Sequence, residues 1–142
     1  MILGVGHIAI AVDDLDKSVS FYRDVLGYRV VRTFDRPEVL GGIRFGKARV
    51  VDLSLNPGQI GEVQLIKYID DSDRHPVGLD HIGMLVSDMD ATVADLKSRG
   101  VTFITEPTPS VPPFPQVATI IDHDTDVPIE LITFVTGRAD QG

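Results

Sequence analysis

The chain writes one phrase twice. "GVGHIAIAVDDLDKSVSFYRDVLG" at 4–27 returns, 74 residues later, as "GLDHIGMLVSDMDATVADLKSRG" at 78–100. His7 falls on His81, Ile8 on Ile82, Val12 on Val86, Asp14 on Asp88, Asp16 on Asp90 and Val19 on Val93. A repeat dictates architecture before any local propensity does. One repeat of this length means a duplicated module, because solenoids need several shorter units.

Each copy opens as a strand. In "VGHIAIAV" Gly6, Ile8, Ile10 and Val12 share one face, and Val5, His7, Ala9 and Ala11 share the other. "DHIGMLV" repeats this, with Ile82, Met84 and Val86 opposite His81, Gly83 and Leu85. The bulky face is expected to meet a helix, and the histidine's neighbours along its own face are mostly small. The helix follows at once. Asp13 or Asp14 caps the first, with Leu15, Val19, Tyr22 and Leu26 as its stripe and Gly27 as its stop. Ser87 or Asp88 caps the second, with Met89, Val93 and Leu96 as its stripe and Gly100 as its stop. Strand patterns fill the rest: "YRVVRTF", "ARVVDLSL" and "EVQLIKYI" in the first half, "VTFIT", "QVATIID" and "PIELITF" in the second. The expected fold class is therefore α+β, two tandem βαβββ modules over 1–69 and 80–136. A polar connector at 70–79 joins them, and a tail covers 137–142. "PTPSVPPFP" at 107–115 holds five of the nine prolines and is expected to be a stiff loop.

Composition narrows the chemistry. With no cysteine, any metal site must use nitrogen and oxygen ligands. A net charge of −8 makes phosphate backbones poor partners, so no nucleic acid is expected. The exception is 29–49, where Arg29, Arg32, Arg36, Arg44, Lys47 and Arg49 face only Asp35 and Glu38, a strip suited to an anionic small molecule. No apolar run approaches the ~20 residues of a membrane span, and "MILGVGHIAIAV" lacks a signal peptide's basic start and cleavage site. No membrane association is expected, and the cytoplasm is the default location.

The last strand of each module carries a polar residue. If Leu65 and Leu131 pack toward the helices, Gln64 and Glu130 face the same side as the histidines. A carboxylate inside an apolar run is costly to bury without a partner. His7, Gln64, His81 and Glu130 thus form an N₂O₂ donor set at equivalent places in the two copies. His75, in the connector, and His123, in a turn, are expected to be solvent-exposed loop residues. Tyr68 shares Gln64's face, where packing is its expected role.

The paired modules, the helix phrase "SFYRDVLGY" and the closing "DHDTDVPIELITF" resemble the vicinal oxygen chelate superfamily over nearly the whole chain. That superfamily includes glyoxalase I, methylmalonyl-CoA epimerase, extradiol dioxygenases and fosfomycin and bleomycin resistance proteins. The resemblance implies a cupped eight-stranded sheet with helices outside, around one divalent ion (Co, Mn, Ni, Zn or Fe). It places the metal ligands on His7, Gln64, His81 and Glu130, a set closest to methylmalonyl-CoA epimerase. It implies an isomerase or lyase that abstracts a proton next to a metal-bound carbonyl, with Glu130 as a displaceable ligand and base. The substrate would carry vicinal oxygens and be anionic or an acyl-CoA, and the protein would be a homodimer. The epimerase also has a glutamate before the third strand of its first module. Here that place falls near Gly46 and Lys47, and Glu38 is the only glutamate in the stretch. Two alternatives follow from the same family. One is an Fe(II) extradiol-type dioxygenase using His7, His81 and Glu130, and the other a non-catalytic binding protein for an antibiotic.

Overall fold

A computed structural model of the chain describes residues 1–40, 43–44, 46–56, 61–69, 77–109 and 116–133. His75, most of the connector, residues 110–115 of the proline-rich stretch and the C-terminal tail lie outside them, as does the Arg44 side chain. The fold is α+β. Eight strands make the main mixed sheet, in the order Arg29–Arg36, Ala48–Ser54, Val63–Tyr68, Ile2–Ala11 in one half and Gly78–Val86, Pro128–Ile132, Gln116–Ile121, Phe103–Pro109 in the other. Two compact units divide the chain: His7–Asp80, and Met1–Gly6 with His81–Gly142.

The first of these contains the end of β1 (Ile2–Ala11), α1 (Leu15–Ser20), β2 (Arg29–Arg36), β3 (Val39–Leu40), β4 (Ile43–Arg44), β5 (Ala48–Ser54) and β6 (Val63–Tyr68). The Asp14 carboxylate accepts from the Lys17 amide and so caps α1. The helix is shorter than its apolar stripe. After Ser20 it widens into a π-helical turn over Phe21–Val25, where the Leu26 amide reaches back to the Phe21 carbonyl at 3.2 Å. Gly27, at φ +82°, then lets the Tyr28 amide return to the Tyr22 carbonyl at 2.9 Å. Leu15, Val19 and Tyr22 are half-buried and pack with Ile10, Val51, Leu53, Val63 and Leu65, whereas Leu26, expected as the last residue of the stripe, comes after the wider turn and is exposed. The opposite face of this half-sheet has its own cluster of Ala9, Ala48, Val50 and Ile66, flanked by Phe34 and Tyr68. The small β3–β4 hairpin was not visible as a strand pattern in the sequence, because two-residue strands carry no periodicity.

The other unit holds β7 (Gly78–Val86), α2 (Met89–Ser98), β8 (Phe103–Pro109), β9 (Gln116–Ile121) and β10 (Pro128–Ile132). Asp88 caps α2 through the Ala91 amide, and Gly100 at φ +85° ends it. Met89 and Val93 pack with Val86, Ala118 and Leu131. The start of β1 joins this unit: the Ser87 amide donates to the Met1 carbonyl at 3.0 Å, and the Met1 ammonium to Thr92 Oγ1 at 2.9 Å. Proline-rich residues 107–109, expected in a loop, instead finish β8. The sheet tolerates them because β8 is an edge strand with irregular pairing, where a missing amide breaks few ladder bonds.

One backbone position is tightly constrained. Gly61 sits at φ +71°, and a Cβ there would lie 2.8 Å from Asp52 Cγ. Gly61→Ala therefore combines a left-handed φ with a collision against a buried side chain. It is expected to destabilise the fold by at least about 2 kcal/mol, read as a lower denaturant midpoint at unchanged slope.

Candidate functional site

Within each unit, strand register decides which side chains share a face. In the first, β1 runs parallel to β6 with Ala9 beside Gln64, and His7 lies two residues earlier on Ala9's face. In the second, β10 runs parallel to β7 with Gly83 beside Glu130, and His81 lies two residues earlier on Gly83's face. The two copies thus repeat one arrangement: a histidine, then a small residue at histidine plus two, then a polar side chain across the ladder. Leu65 and Leu131 pack on the helix side, which turns Gln64 and Glu130 to the other face. Both imidazoles are buried, His7 at 2% and His81 at 5% exposure.

His81 and Glu130 are in contact. Nε2 of the ring lies 3.3 Å from Glu130 Oε1, with the carboxylate side chain about one-fifth exposed. Such a pair offers one nitrogen and one oxygen with access from solvent, which suits a divalent ion of intermediate hardness. Glu38 is differently placed. It is exposed in the turn before β3, and its backbone carbonyl accepts from the Gly46 amide at 3.2 Å. His123 lies exposed in the turn between β9 and β10, as expected.

Two buried polar residues on the same faces escaped sequence reasoning. Asp52, 1% exposed, stands directly across from Gln64 on β5. Its Oδ2 accepts from Arg32 Nε at 2.5 Å. Burial pushes the Asp52 carboxyl up, while Arg32 and then the Gln64 amide pull it back. Arg32 reaches this face because of a bulge: Val30 pairs with Leu53, but Arg32 pairs with Asp52, so Val31 is an extra residue. The other unit has the same device. Phe103 pairs with Ile120 and Thr105 with Thr119, and Thr119 stands directly across from Glu130. Thr119 is 6% exposed. The only sequence signal was an aspartate inside "RVVDLSL".

Among the described residues, the cations of the basic strip are divided between the two faces of their strands. Arg32 is held by Asp52 and lies over the Phe34 ring at 4.3 Å, whereas Arg49 pairs with Asp35 at 3.3 Å on the alternate residues of the same strands. Arg36 donates to the Gly46 carbonyl at 3.2 Å and lies 5.3 Å from the Tyr68 ring. Tyr68 donates its hydroxyl to Asp80 Oδ1 at 2.8 Å. Burial first, and the Asp80 charge second, push that hydroxyl up to about 12, so it remains a proton donor at neutral pH.

The family signature of the Glyoxalase/Bleomycin resistance protein/Dioxygenase superfamily matches residues 4–119. The chain belongs to that superfamily. It is 31% identical over 134 residues to a probable lactoylglutathione lyase from Synechocystis sp., covering 89% of this chain and 92% of the relative. Among solved structures, methylmalonyl-CoA epimerase from Mycobacterium tuberculosis superposes with a TM-score of 0.76 at 28% identity, over 98% of this chain and 93% of that one. A methylmalonyl-CoA epimerase in complex with methylmalonyl-CoA and NH4+ also gives 0.76, at 26% identity, over 96% and 97% of the two chains. No helix among the described residues is long and apolar enough to cross a membrane.

Proposed function

We propose that the chain is a divalent-metal enzyme, an isomerase or lyase that moves a proton at the carbon next to a carbonyl. The observation that carries this reading is the His81–Glu130 contact, set in a register that the first unit repeats with His7 and Gln64. The donor chemistry fits a metal: two imidazoles, one carboxylate and one amide oxygen, without any thiolate. In this reading His7, Gln64, His81 and Glu130 hold the ion. When bound, the ion supplies Lewis-acid stabilisation of the negative charge that develops on a carbonyl oxygen.

Glu130 takes the proton. Its carboxylate is the accessible member of the His81–Glu130 pair, and a carboxylate can hold a proton at Oε1 or Oε2 and return it. The names of the relatives fit the same step. Lactoylglutathione and methylmalonyl-CoA are both thioesters with a C–H beside the carbonyl and a second oxygen function on that carbon. Epimerisation needs a donor on the opposite face of that carbon as well. Glu38 is exposed in its turn, so the first expectation here is proton exchange on one face.

The test is α-proton exchange in D₂O, followed by NMR, with S-lactoylglutathione and methylmalonyl-CoA as substrates. Protein loaded in turn with Co²⁺, Mn²⁺, Ni²⁺, Zn²⁺ or Fe²⁺ is expected to exchange the α-proton of one thioester. Exchange of neither, with every ion, would overturn the proposal.

A further inference from the structure

We propose that Asp52 is a positioning residue that fixes which atom of the Gln64 amide is offered to the metal. This rests on the metal-site reading above. An amide has two ends of similar shape, and only the oxygen binds a cation. A glutamine ligand therefore needs something that holds its NH₂ group elsewhere. Ligand orientation by a hydrogen-bonded neighbour is a general property of metal sites.

Asp52 has the required chemistry and place. It is the direct cross-strand neighbour of Gln64, a position that brings Cβ atoms to about 5 Å. A carboxylate only accepts hydrogen bonds, so it selects the NH₂ end. Oδ2 is taken by Arg32, and Oδ1 is buried with no partner at hydrogen-bonding geometry among the described residues. Besides Arg32, the Gln64 amide is the group near enough to favour the charged carboxylate. The Arg32 cation neutralises the buried charge, and Gly61 leaves the space that Asp52 fills.

The second module supplies an internal comparison. At the equivalent register Glu130 faces Thr119, whose Oγ1 is likewise buried with no partner among the described residues. A hydroxyl can donate to a carboxylate, and a carboxylate can accept from an amide. The polarity of the neighbour thus changes with the polarity of the ligand: acceptor beside Gln64, donor beside Glu130. Equivalent bulges bring Arg32 and Thr105 to the far side of each neighbour.

A double-mutant cycle on Co²⁺ affinity, measured by calorimetry on metal-free protein, tests this. Gln64→Ala and Asp52→Asn are each expected to weaken Co²⁺ binding, by about 10- to 100-fold and about 10-fold. Together they should bind no more weakly than Gln64→Ala alone, because Asp52 acts only through Gln64. Equal weakening by Asp52→Asn in both backgrounds, or none in either, would overturn the inference. Should Asp52→Asn not fold, Arg32→Gln combined with Asp52→Asn removes both buried charges and takes its place in the cycle. A metal-free measurement separates this inference from the reading it rests on. In wild-type protein labelled with ¹⁵N-glutamine, one Gln64 side-chain amide proton should exchange with solvent about 10-fold more slowly than that of an exposed glutamine. Fast exchange of both protons would refute the positioning role. Slow exchange without any Co²⁺ binding would refute the metal site while leaving the Asp52–Gln64 pairing intact.

Discussion

Replacing His81 with alanine is expected to remove metal binding, with affinity for Co²⁺ falling at least about 100-fold. His81 sits in the body of β7, 5% exposed, and its Nε2 is 3.3 Å from the Glu130 carboxylate. Along β7 no residue on its face can substitute for the lost nitrogen, since Leu79, Gly83 and Leu85 are its neighbours there. Imidazole is also the ligand that sets preference for transition ions over Mg²⁺ or Ca²⁺. His123→Ala is the control. That ring lies exposed in the β9–β10 turn, and its loss should leave Co²⁺ affinity unchanged. Calorimetric titration of the two variants side by side checks both, and equal affinities would remove His81 from the site.

Glu130→Gln has the second large effect, and it separates binding from chemistry. The amide keeps the shape and one coordinating oxygen but cannot hold the proton. The α-proton exchange rate should therefore fall by about 10²- to 10⁴-fold, the usual contribution of a positioned base. Metal affinity should fall less, by about 10-fold, because an oxygen ligand remains. Glu38→Gln should leave the rate unchanged, given its exposed place before β3. Measured by deuterium incorporation at saturating metal, a larger loss in Glu38→Gln than in Glu130→Gln would reverse the assignment of the base.

What the sequence disclosed depended on periodicity. The duplicated phrase, the alternation through His7 and His81 and the helix caps at Asp14 and Asp88 were legible because strand and helix patterns repeat over many residues. The facing of Gln64 and Glu130 followed from Leu65 and Leu131 packing against the helices. Asp52, Arg32 and Thr119 were not legible. Strict alternation cannot place Arg32 on Asp52's face, because the bulge at Val31 shifts the count by one, and a bulge leaves no period in the sequence. Pro107 and Pro109 read as loop because local propensity contains no information about edge position, which tertiary structure decides. The π-helical turn after Ser20 was hidden for a related reason. The apolar spacing runs on to Leu26 in the sequence, but the wider turn ends the seam at the half-buried Tyr22 and leaves Leu26 exposed.

Duplication gives each module a histidine and one further oxygen-bearing side chain, and in the proposed reading these two pairs serve one ion. Metal content of purified, untagged protein after dialysis against each of Co²⁺, Mn²⁺, Ni²⁺, Zn²⁺ and Fe²⁺, read by elemental analysis, tests this most directly. One tightly held ion per chain is expected for at least one metal, and Glu130→Ala and Gln64→Ala should each weaken the hold on that same ion. Protein that retains no ion, or that holds two ions per chain with each variant losing only one, would contradict it.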